Sequence, residues 1–154
     1  MLGVEYGNPA YGQIDGLLID KQEKTLVAYP GGREGKPNAI PEGIEHIGDF
    51  AFADCNGLAG VIIPGSVRSV GEFVFWGCDC LTTVIIEDGV MEIGYMAFGE
   101  SKGLVSVTVP SSVVFIDEEY QSSDAYLVNV IAATKPMYGP GEGYDTYDTL
   151  HCDD

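Results

Sequence analysis

Apolar residues recur along the chain at a fixed long period. Shifted by 23 residues, four segments superpose without a gap: IPEGIEHIGDFAFADCNG from Ile40, IPGSVRSVGEFVFWGCDC from Ile63, IEDGVMEIGYMAFGESKG from Ile86 and VPSSVVFIDEEYQSSDAY from Val109. The matched columns are chemically coherent: Leu58, Leu81, Leu104 and Leu127; Val61, Val84, Val107 and Val130; Ile40, Ile63, Ile86 and Val109. Further along come Ile44, Val67, Val90 and Val113; Ile47, Val70, Ile93 and Ile116; Gly48, Gly71 and Gly94; Phe52, Phe75 and Phe98. Self-similarity at such a period is the signature of a stacked repeat, in which one unit cannot cover its own apolar edge and its neighbours must.

Each unit places Leu-x-x-Val-x-Ile on a strand whose alternate side chains point inward, and successive coils stack at about the 4.8 Å spacing of hydrogen-bonded strands. The second apolar pair, as in Val67-x-x-Val70, turns the chain along another face. The following Gly column suits a corner with positive φ. Glu72-Phe73-Val74-Phe75 is predicted to form one helical or 3₁₀ turn whose Phe plugs the core. Pro41, Pro64 and Pro110 close the first strand, where a missing N–H does least harm. The expected architecture is a right-handed β-solenoid of leucine-rich type, with short helical or 3₁₀ turns and an N-terminal β-hairpin.

Residues 16–20 and 25–29 read as two strands joined by the polar turn Lys21–Lys24, a hairpin able to cover the first coil. The fourth unit has lost its corner, with Asp117 in the Gly column, Tyr120 in the Ala column and Gln121 in the Phe column, as a terminal cap requires. The expected division is a solenoid over 1–134, with the hairpin part at 8–30 and repeats at about 40–131, followed by an acidic Gly/Pro/Tyr-rich tail or linker over 135–154. Val4 to Gly12 also resembles Ile131 to Gly139, as if the chain starts inside one array segment and stops at the entry to the next.

The pattern Leu-x-x-Val-x-Ile-Pro-x-x-Val-x-x-Ile-Gly-x-x-Ala-Phe-x-x-Cys resembles the leucine-rich repeat of BspA-type surface proteins of gut and oral bacteria and some parasitic protists. The match is specific in Ile40–Cys55, Leu58–Cys78 and Leu81–Ser101, and looser in Leu104–Leu127. Residues 8–30 are similar to the β-hairpin insert of that family. The resemblance implies surface display, adhesion to host matrix proteins or other cells, and protein–protein recognition without catalysis or cofactor. The chain departs from the better-known repeat with an Asn ladder, because Gly43, Ser66, Gly89 and Ser112 stand in that column.

Charge narrows the partners. Seven Lys plus Arg against 24 Asp plus Glu give a net charge of −17, and the acids are densest beyond residue 78. Such a surface repels phosphate backbones, so DNA, RNA and anionic membranes are poor candidate partners. No apolar run reaches the roughly 18 residues of a bilayer span, so membrane insertion is not expected. The N-terminus lacks the basic and apolar regions of a secretory signal. A mature form or fragment of a secreted or cell-surface protein, or an intracellular protein, satisfies that observation.

The chemistry-bearing residues are sparse. Cys55 and Cys78 share a column with Ser101, which reads as small buried side chains behind the Phe; Cys55–Cys78 or Cys55–Cys80 disulfides are also within reach of stacked coils. Cys78-x-Cys80 lacks a second ligand pair, and His46 and His151 have no partner at metal-ligand spacing. Pro30–Pro37 fails as a phosphate loop, since Pro stands where the first Gly and the Ser/Thr belong. Asp117–Glu119 and the tail carboxylates Glu142, Asp145, Asp148, Asp153 and Asp154 form no calcium-loop pattern and read as solvated acidic surface.

The remaining option is an extended face. Alternation along the strand places Ile62, Ile85, Thr108 and Ile131 in an outward row beside Gly60, Thr83, Ser106 and Asn129. Such a row fits either a protein partner or a β-branched ladder that stabilises the sheet alone. A second row, Phe50, Phe73 and Met96, lies on the turn before the core Phe. Near it Trp76 shares a column with Ala53 and Gly99, a size range no core accepts, so it is predicted to be partly exposed and a separate protein contact. Ile62, Ile85, Thr108, Ile131 and Trp76 are therefore the candidate protein-binding residues.

Overall fold

A computed structural model describes residues 3–30, 40–116 and 129–132, with backbone only for Phe115 and for 129–132, and these described residues contain eleven short strands. They are β1 (Tyr11–Ile14), β2 (Leu17–Asp20), β3 (Thr25–Ala28), β4 (His46–Ile47), β5 (Gly60–Ile63), β6 (Ser69–Val70), β7 (Thr83–Ile86), β8 (Glu92–Ile93), β9 (Ser106–Val109), β10 (Phe115–Ile116) and β11 (Asn129–Ala132). The proposed cap residues Asp117, Tyr120 and Gln121, the acidic cluster 117–119, the loop 31–37 and the tail 135–154 lie outside the described residues.

The 23-residue period becomes parallel pairing in exact register. One sheet has the order β11-β9-β7-β5, with Gly60 opposite Thr83 and Ile62 opposite Ile85. The other has the order β1-β2-β3-β4-β6-β8-β10, and its parallel part pairs His46 with Ser69 and Ser69 with Glu92. This is a right-handed leucine-rich-type β-solenoid with an N-terminal hairpin. Between the sheets lie the inward columns: Leu58, Leu81 and Leu104; Val61, Val84 and Val107; Ile44, Val67, Val90 and Val113, all buried. Pro64 and Pro110 directly follow β5 and β9. In the same column Glu87 carries an N–H, which it donates to the Ile63 carbonyl at 2.9 Å.

The hairpin does more than cover the first coil. β3 pairs in parallel with β4, Thr25 opposite His46 and Leu26 opposite Ile47, so it acts as an additional coil of the second sheet. Tyr29 then stacks on Phe52 at 5.0 Å, and the stack continues from Phe52 to Phe75 at 5.0 Å and from Phe75 to Phe98 at 5.5 Å. The four rings repeat every 23 residues, which places Tyr29 in the Phe column although the preceding strand is out of phase. Asp20 accepts the Gln22 and Glu23 N–H groups in the turn, and Lys24 meets Glu45 at 2.6 Å. β1, which extends this sheet by pairing with β2, has no counterpart in the sequence reading.

Two expectations about the corner are corrected. The segments after Gly48, Gly71 and Gly94 form hydrogen-bonded turns, and the described residues contain neither helix nor 3₁₀ turn. The reason is a shared donor set. Ala51, Ala53 and Cys55 donate back to Gly48, Phe50 and Phe52, whereas the intervening Phe50, Phe52 and Asp54 donate to Glu72, Val74 and Trp76 of the next coil. A helix would need all these N–H groups for itself. The second correction concerns the Gly column. None of Gly48, Gly71 and Gly94 has positive φ; that conformation falls two residues later, on Phe50, Phe73 and Met96. The column is glycine because the coils approach too closely for a Cβ, which at Gly94 would lie 2.7 Å from the Gly71 carbonyl carbon.

Candidate binding face

The outward row of the four-stranded sheet is assembled by register alone. Ile62 lies opposite Ile85, Ile85 opposite Thr108, and Thr108 opposite Ile131. Ile62, Ile85 and Thr108 each sit between buried neighbours, as Ile85 does between Val84 and Ile86, so the strand turns them away from the core. Ile85 is 40% exposed; Ile62 and Thr108 are half-buried. The Ile131 side chain lies outside the described residues, though its backbone completes the row. Beside it, Gly60, Thr83 and Ser106 form a half-buried second row, and Thr82 and Val105 an exposed margin, with Val105 62% exposed. The margin was not singled out in the sequence; the column Ala59, Thr82, Val105 precedes the strand, where alternation gives no guide.

Trp76 is not part of this face. It is half-buried on the corner, where its ring and the Met96 methyl converge above Gly99. A Cβ at Gly99 would lie 2.8 Å from the indole, so the Gly in that column makes room for the Trp one coil earlier.

The thiol column proves structural. Cys55, Cys78 and Ser101 are buried, and both thiols are free, so neither disulfide within reach of Cys55 forms. Cys78 donates to the Phe52 carbonyl at 2.9 Å, and Ser101 donates to the Phe75 carbonyl. Burial pushes the Cys55 thiol up to about 11 and the Cys78 thiol up to about 12, with Asp54 adding to the shift at both. A nucleophilic cysteine requires the opposite displacement. His46 is engaged elsewhere, its Nδ1 lying 2.7 Å from the Ser69 Oγ of the next coil. Among the described residues no group of His, Cys, Asp or Glu could hold a metal ion, and no helix is long and apolar enough to cross a membrane.

Comparison with known proteins agrees with this geometry. Residues 36–132 match the family model described as the BspA type leucine rich repeat region, in six copies. A leucine-rich repeat protein from Bacteroides capillosus is 28% identical, with a TM-score of 0.67 over 80% of this chain and 98% of that one. A leucine rich cell surface protein from Faecalibacterium prausnitzii is also 28% identical, with a TM-score of 0.58 over 82% of this chain. A leucine-rich repeat protein from Eubacterium ventriosum, 19% identical with a TM-score of 0.54 over 73% of this chain, shares the fold. The chain spans 40% of each of the latter two structures. No curated protein matches the sequence. Since the family model covers more than half of a chain whose matched columns form the core of stacked parallel coils, the protein belongs to the BspA-type leucine-rich repeat family.

Proposed function

We propose that the chain is a non-catalytic protein-binding module of a cell-surface leucine-rich repeat protein, and that it engages host matrix proteins or other cell-surface proteins. The contact face is the row Ile62, Ile85, Thr108 and Ile131. The observation that carries this reading is the register that aligns these residues on successive parallel strands, with Ile85 left 40% exposed on a regular sheet face. A cell-surface setting is supported by the relative from Faecalibacterium prausnitzii, which is described as a cell surface protein. In this reading residues 1–134 form the array and 135–154 a tail or linker.

The face is small. Four aligned strands offer three steps of about 4.8 Å, on the order of 14 Å in all. Association must first offset several kcal/mol of lost freedom, so one such face binds weakly and repetition makes it effective. The test is binding to immobilised matrix proteins by the chain displayed singly and in clusters. Weak single binding that strengthens steeply on clustering supports the module; absence of binding even in clusters makes the chain a spacer.

A further inference from the structure

The corner of the solenoid carries an aromatic surface that the strand-face reading does not use. Phe50 is 55% exposed, and its ring stacks on half-buried Phe73 at 4.9 Å and 12°. Phe73 meets Trp76 edge-on at 5.4 Å and Tyr95 edge-on at 4.8 Å. Met96 closes the group against Trp76 above Gly99. The cluster is held out at a conformational cost, because Phe50, Phe73 and Met96 have φ of 58°, 53° and 43°. Left-handed backbone is disfavoured for bulky L-residues, and on Phe50, the most exposed of the three, burial offsets it least.

The surroundings select the ligand. Segments 48–56, 71–79 and 94–102, which carry the corner through three coils, contain Asp49, Asp54, Glu72, Asp79 and Glu100 against the single base Lys102 at the end of the third. Asp49 accepts the Glu72 N–H at 2.8 Å, which fixes its carboxylate between the first two of these coils. Ring faces bordered by carboxylates attract cations, and the planar, weakly hydrated guanidinium stacks on a ring while its edge reaches a carboxylate. We propose that Phe50, Phe73, Trp76 and Met96, with Asp49, Asp54 and Glu72, form a second docking site, which takes an arginine-bearing segment of a protein partner.

Trp76 is the single tryptophan of the chain and lies in the site, so its emission reports occupancy. The full chain is titrated with an oligo-arginine peptide and with an oligo-lysine peptide of equal length. The arginine peptide is expected to shift the emission saturably and to bind more tightly by about fivefold or more, the ratio corresponding to a contact of about 1 kcal/mol. Phe50→Ser, on the most exposed ring, and the paired Asp54→Asn/Glu72→Gln variant should each weaken arginine-peptide binding, with circular dichroism confirming the fold. Ile62→Lys/Ile85→Lys should leave the emission shift in place, which separates this site from the strand face. Equal affinity for both peptides with no effect of Phe50→Ser would mean general attraction to an acidic surface and overturn the proposal. An emission shift with a neutral oligosaccharide and none with the arginine peptide would overturn it equally.

Discussion

The Cys78 thiol donates to the carbonyl oxygen of Phe52, 26 residues earlier, and Ser101 repeats the contact with Phe75 at the same separation. A small donor at the end of each turn thus caps the carbonyl of the core ring in the preceding coil. The column holds Cys55, Cys78 and Ser101, since what it demands is a donor of small volume rather than thiol chemistry.

Removing that donor should cost more than exchanging it. Cys78→Ala removes one of two donors to the Phe52 carbonyl, which keeps the Cys55 N–H, at a cost of about 0.5–1.5 kcal/mol, whereas Cys78→Ser should cost less because its hydroxyl can make the same bond. Urea denaturation of the two variants decides the matter. A serine variant less stable than the alanine variant would show that the site reads volume alone.

The raised thiols make stability depend on pH in one direction. The ordinary thiol value is 9.0, and Cys55 and Cys78 are pushed up to about 11 and about 12. Below pH 9 both states are protonated and the thiols contribute no slope. Above it the unfolded chain loses protons that the folded chain keeps, so stability falls as pH rises towards 11, at up to about 1.4 kcal/mol per pH unit per thiol. Denaturation midpoints of the wild type at pH 7 and 10, compared with those of Cys55→Ser/Cys78→Ser, should show a smaller drop in the variant. Labelling of both thiols at pH 8 should be slow until denaturant is added.

The core ladder should be graded in energy. Phe75 is fully buried between Phe52 and Phe98, so Phe75→Ala should cost about 3–5 kcal/mol. Phe98 is partly buried, so Phe98→Ala should cost less. Chemical denaturation that ranked Phe98 above Phe75 would contradict the stacking order.

The repeat columns were legible because an inward position must be apolar in every coil, and period 23 exposes that requirement directly in the sequence. The outward Ile row follows from the same alternation. Other features were hidden because they depend on what neighbouring coils do to the backbone. Tyr29 enters the ring stack 23 residues before Phe52, but the shorter connection from β3 removes the matching columns around it. The turn after each Gly reads as one helical turn until its donors are seen to be divided between its own coil and the next. Positive φ at Phe50 and Phe73 has no sequence signature, since large apolar residues avoid that region.

The Gly column offers a test of close approach. At Gly71 a Cβ would lie 2.9 Å from the Ile47 carbonyl oxygen, and at Gly94 it would meet the Gly71 backbone. Gly94→Ala should therefore destabilise by about 1–3 kcal/mol or more, because rigid backbone must move. Gly43, with positive φ and open space, is a useful contrast: Gly43→Asn should be tolerated better than Gly94→Asn. Thermal melts of the set would refute close approach if Gly94→Ala melted with the wild type.

If the strand face binds protein, the Ile62→Lys/Ile85→Lys variant must abolish that contact. Both residues point outward from adjacent strands, so the exchange adds two charges to the face and leaves the core columns intact. The measurement is binding of clustered wild type and clustered variant to the same matrix-protein surface, after circular dichroism has shown equal folding. The variant is expected to lose most of the clustered binding. Equal binding by a folded variant would contradict it.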